Sequence, residues 1–431
     1  MNKKTFTDVI VVGFALFAMF FGAGNLIFPP SLGLMAGDKW LTALIGFLLT
    51  GVGMPLLGIL AVSKSGGTME KFAGKVSPTF AKILGTVIML AIGPLLAIPR
   101  TGATTFEMGI LPIFPNASPI LVSAIFFAIT LFFVISPSKV IDSIGKVLTP
   151  VLLITIGFII FKGVTTPVGE LAVTDLENPF SRGFTEGYQT MDALGSIVLT
   201  SIVIAGLIAK GYTEQKQQMK LTVLSGIIAA TGLLLVYGGL AYLGATAVNI
   251  FPADMGKTDL IINITALLLG DFGKIALGLV VGLACLTTAI GLTATAGEFF
   301  NKLTNNRVSY RTIVILITVF SAIVSNAGVE TIVSFAVPLL VTVYPVAIAL
   351  IVLSIFDGFI KSRGVYIGAV FGALLVSLFD ALAAIGVNIS SVQGIIGMLP
   401  FSTQGFGWIA PAVVCALIGA LLFRDKVSMQ S

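Results

Sequence analysis

Two glycines and an asparagine, Gly22, Gly24 and Asn25, fall inside an otherwise apolar stretch, FAMFFGAGNLIFPPSLG, from Phe17 to Gly33. In lipid a helix must satisfy its own backbone, so flexible glycines, an amide and the pair Pro29 and Pro30 at that depth signal an interruption. An interrupted helix presents free N–H groups with partial positive charge on one half and free carbonyl oxygens on the other. One break therefore offers both an anion site and a cation site. Close packing against a neighbouring helix is the other use of such glycines. Gly22 and Gly24 are two apart and face different ways, which weighs against it.

A second polar cluster lies in EGYQTMDALGSIVLTSIVIAGL, where Thr190, Asp192 and Gly195 stand close together. An acidic residue within an apolar span is costly and faces a cavity or a partner, which makes Asp192 a site candidate. Ala23, Gly24 and Asn25 at the first cluster, and Gln189, Thr190, Met191 and Asp192 at the second, are the substrate-binding candidates. A third patch, GLACLTTAIGLTATAGEFF, sets Thr287 and Thr288 side by side, with Thr293 and Thr295 beyond. Paired hydroxyls beside free carbonyls suit a small hard cation, which takes oxygen ligands. Hydroxyls that bond back to their own helix are the alternative. Arg100 and Glu107 lie on roughly one face of a helix, ~10 Å apart along its axis, too far for an unstrained ion pair. Arg100 is expected to meet carbonyls or a carboxylate of another span, Asp192 among them, in gating or site architecture, and Glu107 to sit at the outer interface. Asp380 and Glu298 carry no assigned role.

The elements that position these residues follow from composition. Of 431 residues, 57% are hydrophobic and 10% charged, far fewer charges than a soluble domain carries. With ~20 apolar residues per crossing, the pattern predicts an all-α integral membrane protein of twelve spans. They fall near 8–30, 40–62, 82–108, 119–136, 143–162, 186–208, 221–246, 273–300, 311–327, 331–355, 364–385 and 405–423. On this count Lys3, Lys4, Lys64, Lys71, Lys75, Lys82, Lys139, Lys146, Lys210, Lys216, Lys220, Lys302, Arg307, Arg311, Lys361, Arg363, Arg424 and Lys426 share one side. Lys39, Lys162, Arg182, Lys257 and Lys274 lie on the other. Basic residues concentrate on the cytoplasmic side, so both termini are expected there. The net charge of +5 then reflects topology rather than a nucleic-acid surface.

Several classes are disfavoured. There is no histidine, and the two cysteines, Cys285 and Cys415, sit in separate spans, so neither a disulfide framework nor a metal cluster is expected. GKT at Gly256–Thr258 has Phe251 where a phosphate loop needs its leading glycine, which argues against a primary pump. A membrane-embedded enzyme lacks a nucleophile elbow or an evident base. A passive channel remains the other non-carrier reading. The first apolar stretch follows Lys3 and Lys4 at full span length without a convincing small-x-small cleavage site, so it is read as a retained span.

Span parity suggests a repeat. Spans one to five start on the cytoplasmic side and spans six to ten outside, so the segments 1–165 and 185–355 form two halves of opposite orientation, followed by two further spans in 364–423. Helices one and six are the expected broken pair. Between spans seven and eight, the apolar run from Leu260 to Leu269 is too short to cross and is expected as a re-entrant or surface-lying helix over an outer vestibule, or as an ordinary loop helix.

Two resemblances sharpen this picture. GAGNLIFPP resembles the first-span signature of the neurotransmitter:sodium symporters, and LACLTTAIGL is similar to their eighth-span motif. That resemblance implies a Na+ site built from the carbonyls of Ala18, Phe21 and Ala284 and the hydroxyls of Thr287 and Thr288. Ala289 replaces a serine of the motif without touching those ligands. Over nearly its whole length, through FGAGNLIFPP, GPLLAIPRTGATTFE and EGYQTMD, the chain resembles the bacterial branched-chain amino acid:cation symporters. This implies a five-plus-five inverted-repeat fold in a bacterial cell membrane. It also implies uptake of leucine, isoleucine and valine by alternating access with Na+, or with protons in some members, and no other cofactor.

Overall fold

A computed structural model describes residues 3–135, 146, 148–360 and 362–422. Lys139, Lys361, Arg424 and Lys426 lie outside the described residues, as does the beginning of the span expected from 143. Among the described residues the chain is built of helices. The first span is two pieces, α1 (Lys3–Phe20) and α2 (Ala23–Ala36), parted at Phe21 and Gly22. α3 (Trp40–Leu48) and α4 (Met54–Lys64) make the next crossing through a π-helical turn at Leu49–Gly53. After the short α5 (Met69–Ala73), α6 (Pro78–Leu90) and α7 (Ala97–Thr104) form the third.

α8 (Pro119–Val134), α9 (Thr149–Thr165), α10 (Pro179–Glu186), α11 (Asp192–Ala209), α12 (Gln215–Ala245) and α13 (Lys257–Leu269) follow. Then come α14 (Asp271–Leu303), α15 (Tyr310–Val324), α16 (Val329–Ile355), α17 (Arg363–Ala384), α18 (Ser390–Gly397) and α19 (Ile409–Leu422). Among the described residues, eight helical stretches are long and apolar enough to cross a membrane, and α8, α9 and α19 are apolar but shorter. The flank is greasy, as lipid requires: Phe132, Ile154 and Phe335 are 76, 74 and 73% exposed.

In lipid, helices cannot rely on hydrophobic burial to find one another, so small residues set the crossings. α2 passes α12 with Gly33 against the backbone of Ala241, and Gly244 against Pro30. α3 meets α10 through Gly46 against Phe180 and Gly183 against Ala43. α17 and α19 form a tight pair through Gly368, Gly372 and Gly419, each seated on the partner helix's backbone. A side chain at any of these glycines would collide with a carbonyl oxygen.

The sixth span begins earlier than the sequence pattern suggests. α10 and α11 form one apolar run, Pro179–Ala209, so Arg182 belongs to a helix and not to a polar loop. The break within it is a 3-10 turn over Gly187–Thr190 followed by Met191 at φ 64°. Left-handed backbone is disfavoured for a residue with a long side chain, so a helix cannot run through Met191. The stretch expected as the third span, near 82–108, is also broken. Gly93 is non-helical at φ −94° and ψ −125°, and Leu96 departs from helical angles at φ −129° and ψ −67°, on either side of Pro94. Pro94 removes an N–H and clashes with the preceding turn, which accounts for the kink. α13 covers the run expected from Leu260 to Leu269 and packs on α14 and α2, burying Leu260, Ile261 and Ile264.

Candidate functional site

The three breaks converge. At the first, the Gly22 N–H donates to Asn25 Oδ1 at 3.1 Å, so the asparagine side chain folds back over the start of α2. Its Nδ2 then donates to Asp192 Oδ2 at 2.7 Å and also meets the Tyr237 hydroxyl. Tyr237 OH donates to the same carboxylate oxygen at 2.8 Å. Asn25, Asp192 and Tyr237 are all buried. A buried carboxylate requires such donors, because without them its desolvation is uncompensated. Within α2, Pro29 and Pro30 lack the N–H groups that would bond the carbonyls of Asn25 and Leu26.

At the second break, Thr190 Oγ1 donates to Gly187 O at 2.9 Å and accepts from the Asp192 N–H at 3.3 Å, which caps the start of α11. Arg100, one turn into α7, donates from Nη1 to Gln189 O at 3.0 Å. Its guanidinium also lies 5.8 Å from the centre of the Phe28 ring. A Cβ on Gly24 would fall 2.6 Å from Arg100 Nη2, so a side chain at this position would shift the guanidinium.

Residues from all three breaks, among them Ala23, Asn25, Ala97, Arg100, Met191 and Asp192, enclose a cavity of about 20 Å³. That is room for about one water. A larger cavity of about 470 Å³ lies beyond it, lined by Phe28, Gln189, Arg182, Lys257, Asp380 and Trp408 among others. Phe28 and Gln189 form part of its wall, and Lys257 Nζ sits 5.9 Å from the centre of the Phe28 ring. Asp380, without a role in the sequence pattern, thus faces this larger cavity.

The cation candidates meet at one carbonyl. Thr287 Oγ1 is 2.9 Å and Thr288 Oγ1 3.1 Å from Ala18 O, the last turn of α1 before the break. Thr287 Oγ1 is also 2.9 Å from Leu283 O and 3.0 Å from Ala284 O. One hydroxyl has one proton, so Thr287 shares it among these carbonyls, of which only Ala18 O belongs to another helix. Thr287 bonds back to its own helix and also reaches α1. Thr288 lies against Gly22, where a Cβ would sit 2.8 Å from its Oγ1. Phe21, proposed as a carbonyl ligand from resemblance, is at the break itself and buried.

Glu107 stands apart from these groups. Its Oε1 accepts the Val329 N–H at 2.9 Å, capping α16 where Gly328 turns the chain at φ 85°. That is an architectural contact near a helix start. Tyr237 was not among the sequence candidates, and its only signal was a polar tip in an apolar run, VYGGLAYLG. The third break had a clearer signal, Gly93–Pro94.

The family model for "Branched-chain amino acid transport protein" matches residues 5–426. The chain is 43% identical to the branched-chain amino acid permease BraB of Bacillus subtilis (strain 168), over 96% of this chain and 95% of that one. It is 38% identical to the permease BrnQ of the same organism, over 99% of this chain and all of the relative. It is 37% identical to the branched-chain amino acid transport system 2 carrier protein of Pseudomonas aeruginosa, over 97% and 96% of the two chains. Among solved structures it is similar to a substrate-bound, outward-open Na+-coupled sialic acid symporter, with a TM-score of 0.64, 16% identity and coverage of 97% and 90%. It is also similar to MhsT in complex with L-phenylalanine, with a TM-score of 0.56, 17% identity and coverage of 95% and 98%. At such identity these two establish the fold alone. The interrupted helices, the apolar flank and the match over the whole length agree: this chain belongs to the branched-chain amino acid transport protein family, a family of transporters and not of enzymes.

Proposed function

We propose that this protein imports leucine, isoleucine and valine by symport with Na+ through alternating access. The observation that carries the reading is the meeting of broken helices at a closed central cavity, with the Thr287 and Thr288 hydroxyls on the free end of α1 at Ala18. Ala23, Gly24 and Asn25 and the turn from Gln189 to Asp192 would hold the amino acid, using the helix ends that face the cavity. The carbonyls of Ala18, Phe21 and Ala284 with Thr287 and Thr288 would hold Na+. The names of relatives support the substrate class, and the Na+-coupled symporter of the same fold supports the ion.

The energetics suffice. One inward charge gains ~2.3 kcal/mol per 100 mV, and a tenfold Na+ gradient adds about 1.4 kcal/mol. An apolar pocket separates side chains differing by one methylene by ~1–3 kcal/mol, so the three aliphatic amino acids would share it. The topology of this reading has twelve spans, inverted repeats in 1–165 and 185–355, two further spans in 364–423, and both termini on the cytoplasmic face of a bacterial cell membrane. The cavity beside Lys257 and Arg182 is then the outer entrance, and α13 lies over it.

Proton coupling is the second reading, because Asp192 is a buried acid shared between two broken helices. Leucine uptake into proteoliposomes under separately imposed Na+ and proton gradients tests both. Concentrative uptake driven by Na+ alone supports the first, uptake driven by protons alone the second, and uptake driven by neither overturns symport.

A further inference from the structure

Arg100 is 3% exposed, deep in a bundle where an ionised side chain must be paired or serve a ligand. Its protein contacts do not use it up. Nη1 donates to Gln189 O, and Nη2 rests against Gly24. The Nε–H is buried and has no acceptor among the described residues. The guanidinium lines the same central cavity as the Asp192 carboxylate. The walls therefore present a guanidinium and a carboxyl group to one space between broken helices.

We propose that Arg100 anchors the carboxylate of the transported amino acid, with Asp192 facing its ammonium group. This rests on the amino acid transporter reading above and assigns the charges within that site. A guanidinium offers several N–H donors in a planar fork that matches a carboxylate, and its unpartnered Nε–H is one of them. The cavity holds only about one water in this conformation, so the amino acid enters as the helix halves part. Gly24 is what keeps the guanidinium at the first break, since any side chain there would displace it. A ligand with only one of the two charges leaves the other wall group buried without a counterpart, a strong basis for rejecting it. A purely architectural arginine, bracing Gln189 and Phe28, would have no preference among ligands.

The test is equilibrium competition against radiolabelled leucine on the purified full-length protein. Competitors are leucine, leucinamide, which lacks the carboxylate, and 4-methylpentanoate, which lacks the amine. In the wild type, leucinamide should bind roughly tenfold to hundredfold more weakly than leucine, the worth of a charge-assisted hydrogen bond. Arg100→Gln should weaken leucine by a similar factor and leave leucinamide unchanged or better, so that the preference collapses. Arg100→Lys should retain part of the preference. Asp192→Asn should relax rejection of 4-methylpentanoate instead. An equal loss for leucine and leucinamide in Arg100→Gln overturns the proposal. So does a wild type that binds leucinamide as tightly as leucine, which needs no variant to fold. A wild type that binds no leucine overturns the transporter reading and this proposal together, whereas leucine binding with an unaltered preference in the variant overturns this proposal alone.

Discussion

Asn25 Nδ2 donates to Asp192 Oδ2 at 2.7 Å, tying the first helix interruption to the second across 167 positions of sequence. The Tyr237 hydroxyl donates to the same oxygen at 2.8 Å, so three helices share one carboxylate. Removing one donor leaves a buried carboxyl oxygen short of a partner, which costs about 1–3 kcal/mol. Tyr237→Phe should lower leucine affinity roughly tenfold or more while the protein still inserts and purifies. Equilibrium binding and thermal unfolding in the same detergent check this; an unchanged affinity would remove Tyr237 from the site.

Thr288 and Gly22 are coupled by contact. Thr288→Ala should raise the Na+ concentration for half-maximal uptake about tenfold, the loss of about one hydrogen-bond-sized interaction. Gly22→Ala should act similarly, because its Cβ would lie 2.8 Å from Thr288 Oγ1 and push the hydroxyl from Ala18 O. Sites in contact are not additive. The double variant should therefore be little worse than either single one, and fully additive losses in Na+ titrations would break the link.

At the other end of α1, Asp8 is held from outside its own helix. Its Oδ2 accepts from Tyr212 OH at 2.8 Å, and its Oδ1 lies 3.5 Å from Lys210 Nζ. Gln218 Nε2 in turn donates to Tyr212 O at 2.9 Å, which ties the start of α12 to the same turn. Asp8 and Lys210 are partly exposed, so the latch contributes only ~1 kcal/mol. Asp8→Asn should accelerate amide hydrogen exchange in the first turns of α1 about fivefold. Unchanged exchange there would mean that the contact does not restrain the helix.

Helices α17 and α19 pack through glycine. Gly372→Leu should drive a side chain into the Pro411 backbone and separate α17 from α19. Overpacking of this kind costs ~1–3 kcal/mol or more. A clear fall in thermal stability is expected. The α17 face that does not touch α19, as at the exposed Leu375, should tolerate alanine without such a fall.

What was legible in the sequence was local. Gly22, Gly24 and Asn25 in an apolar run betray a break, because glycine and a short amide disrupt a lipid-bound helix whatever surrounds it. An acid such as Asp192 in the same setting announces a buried partner. Paired threonines at 287 and 288 show their oxygen-rich face, and the absence of charge over long runs shows the membrane itself. Each is a property of a few neighbouring residues in a solvent that cannot hydrogen-bond.

Tertiary structure decided the rest, since it depends on which distant groups meet. Tyr237 is one tyrosine in an apolar helix until the fold brings its hydroxyl to Asp192. Arg100 could have met any carboxylate or carbonyl, and its contact with Gln189 O follows from the kink at Gly93 and Leu96 that restarts the helix at Ala97. Glu107 spends its carboxylate on a helix start far along the chain, at Val329. Spacing along one helix fixes only which side chains share a face. The glycine-set crossings between helices fix what that face meets, and that is three-dimensional packing.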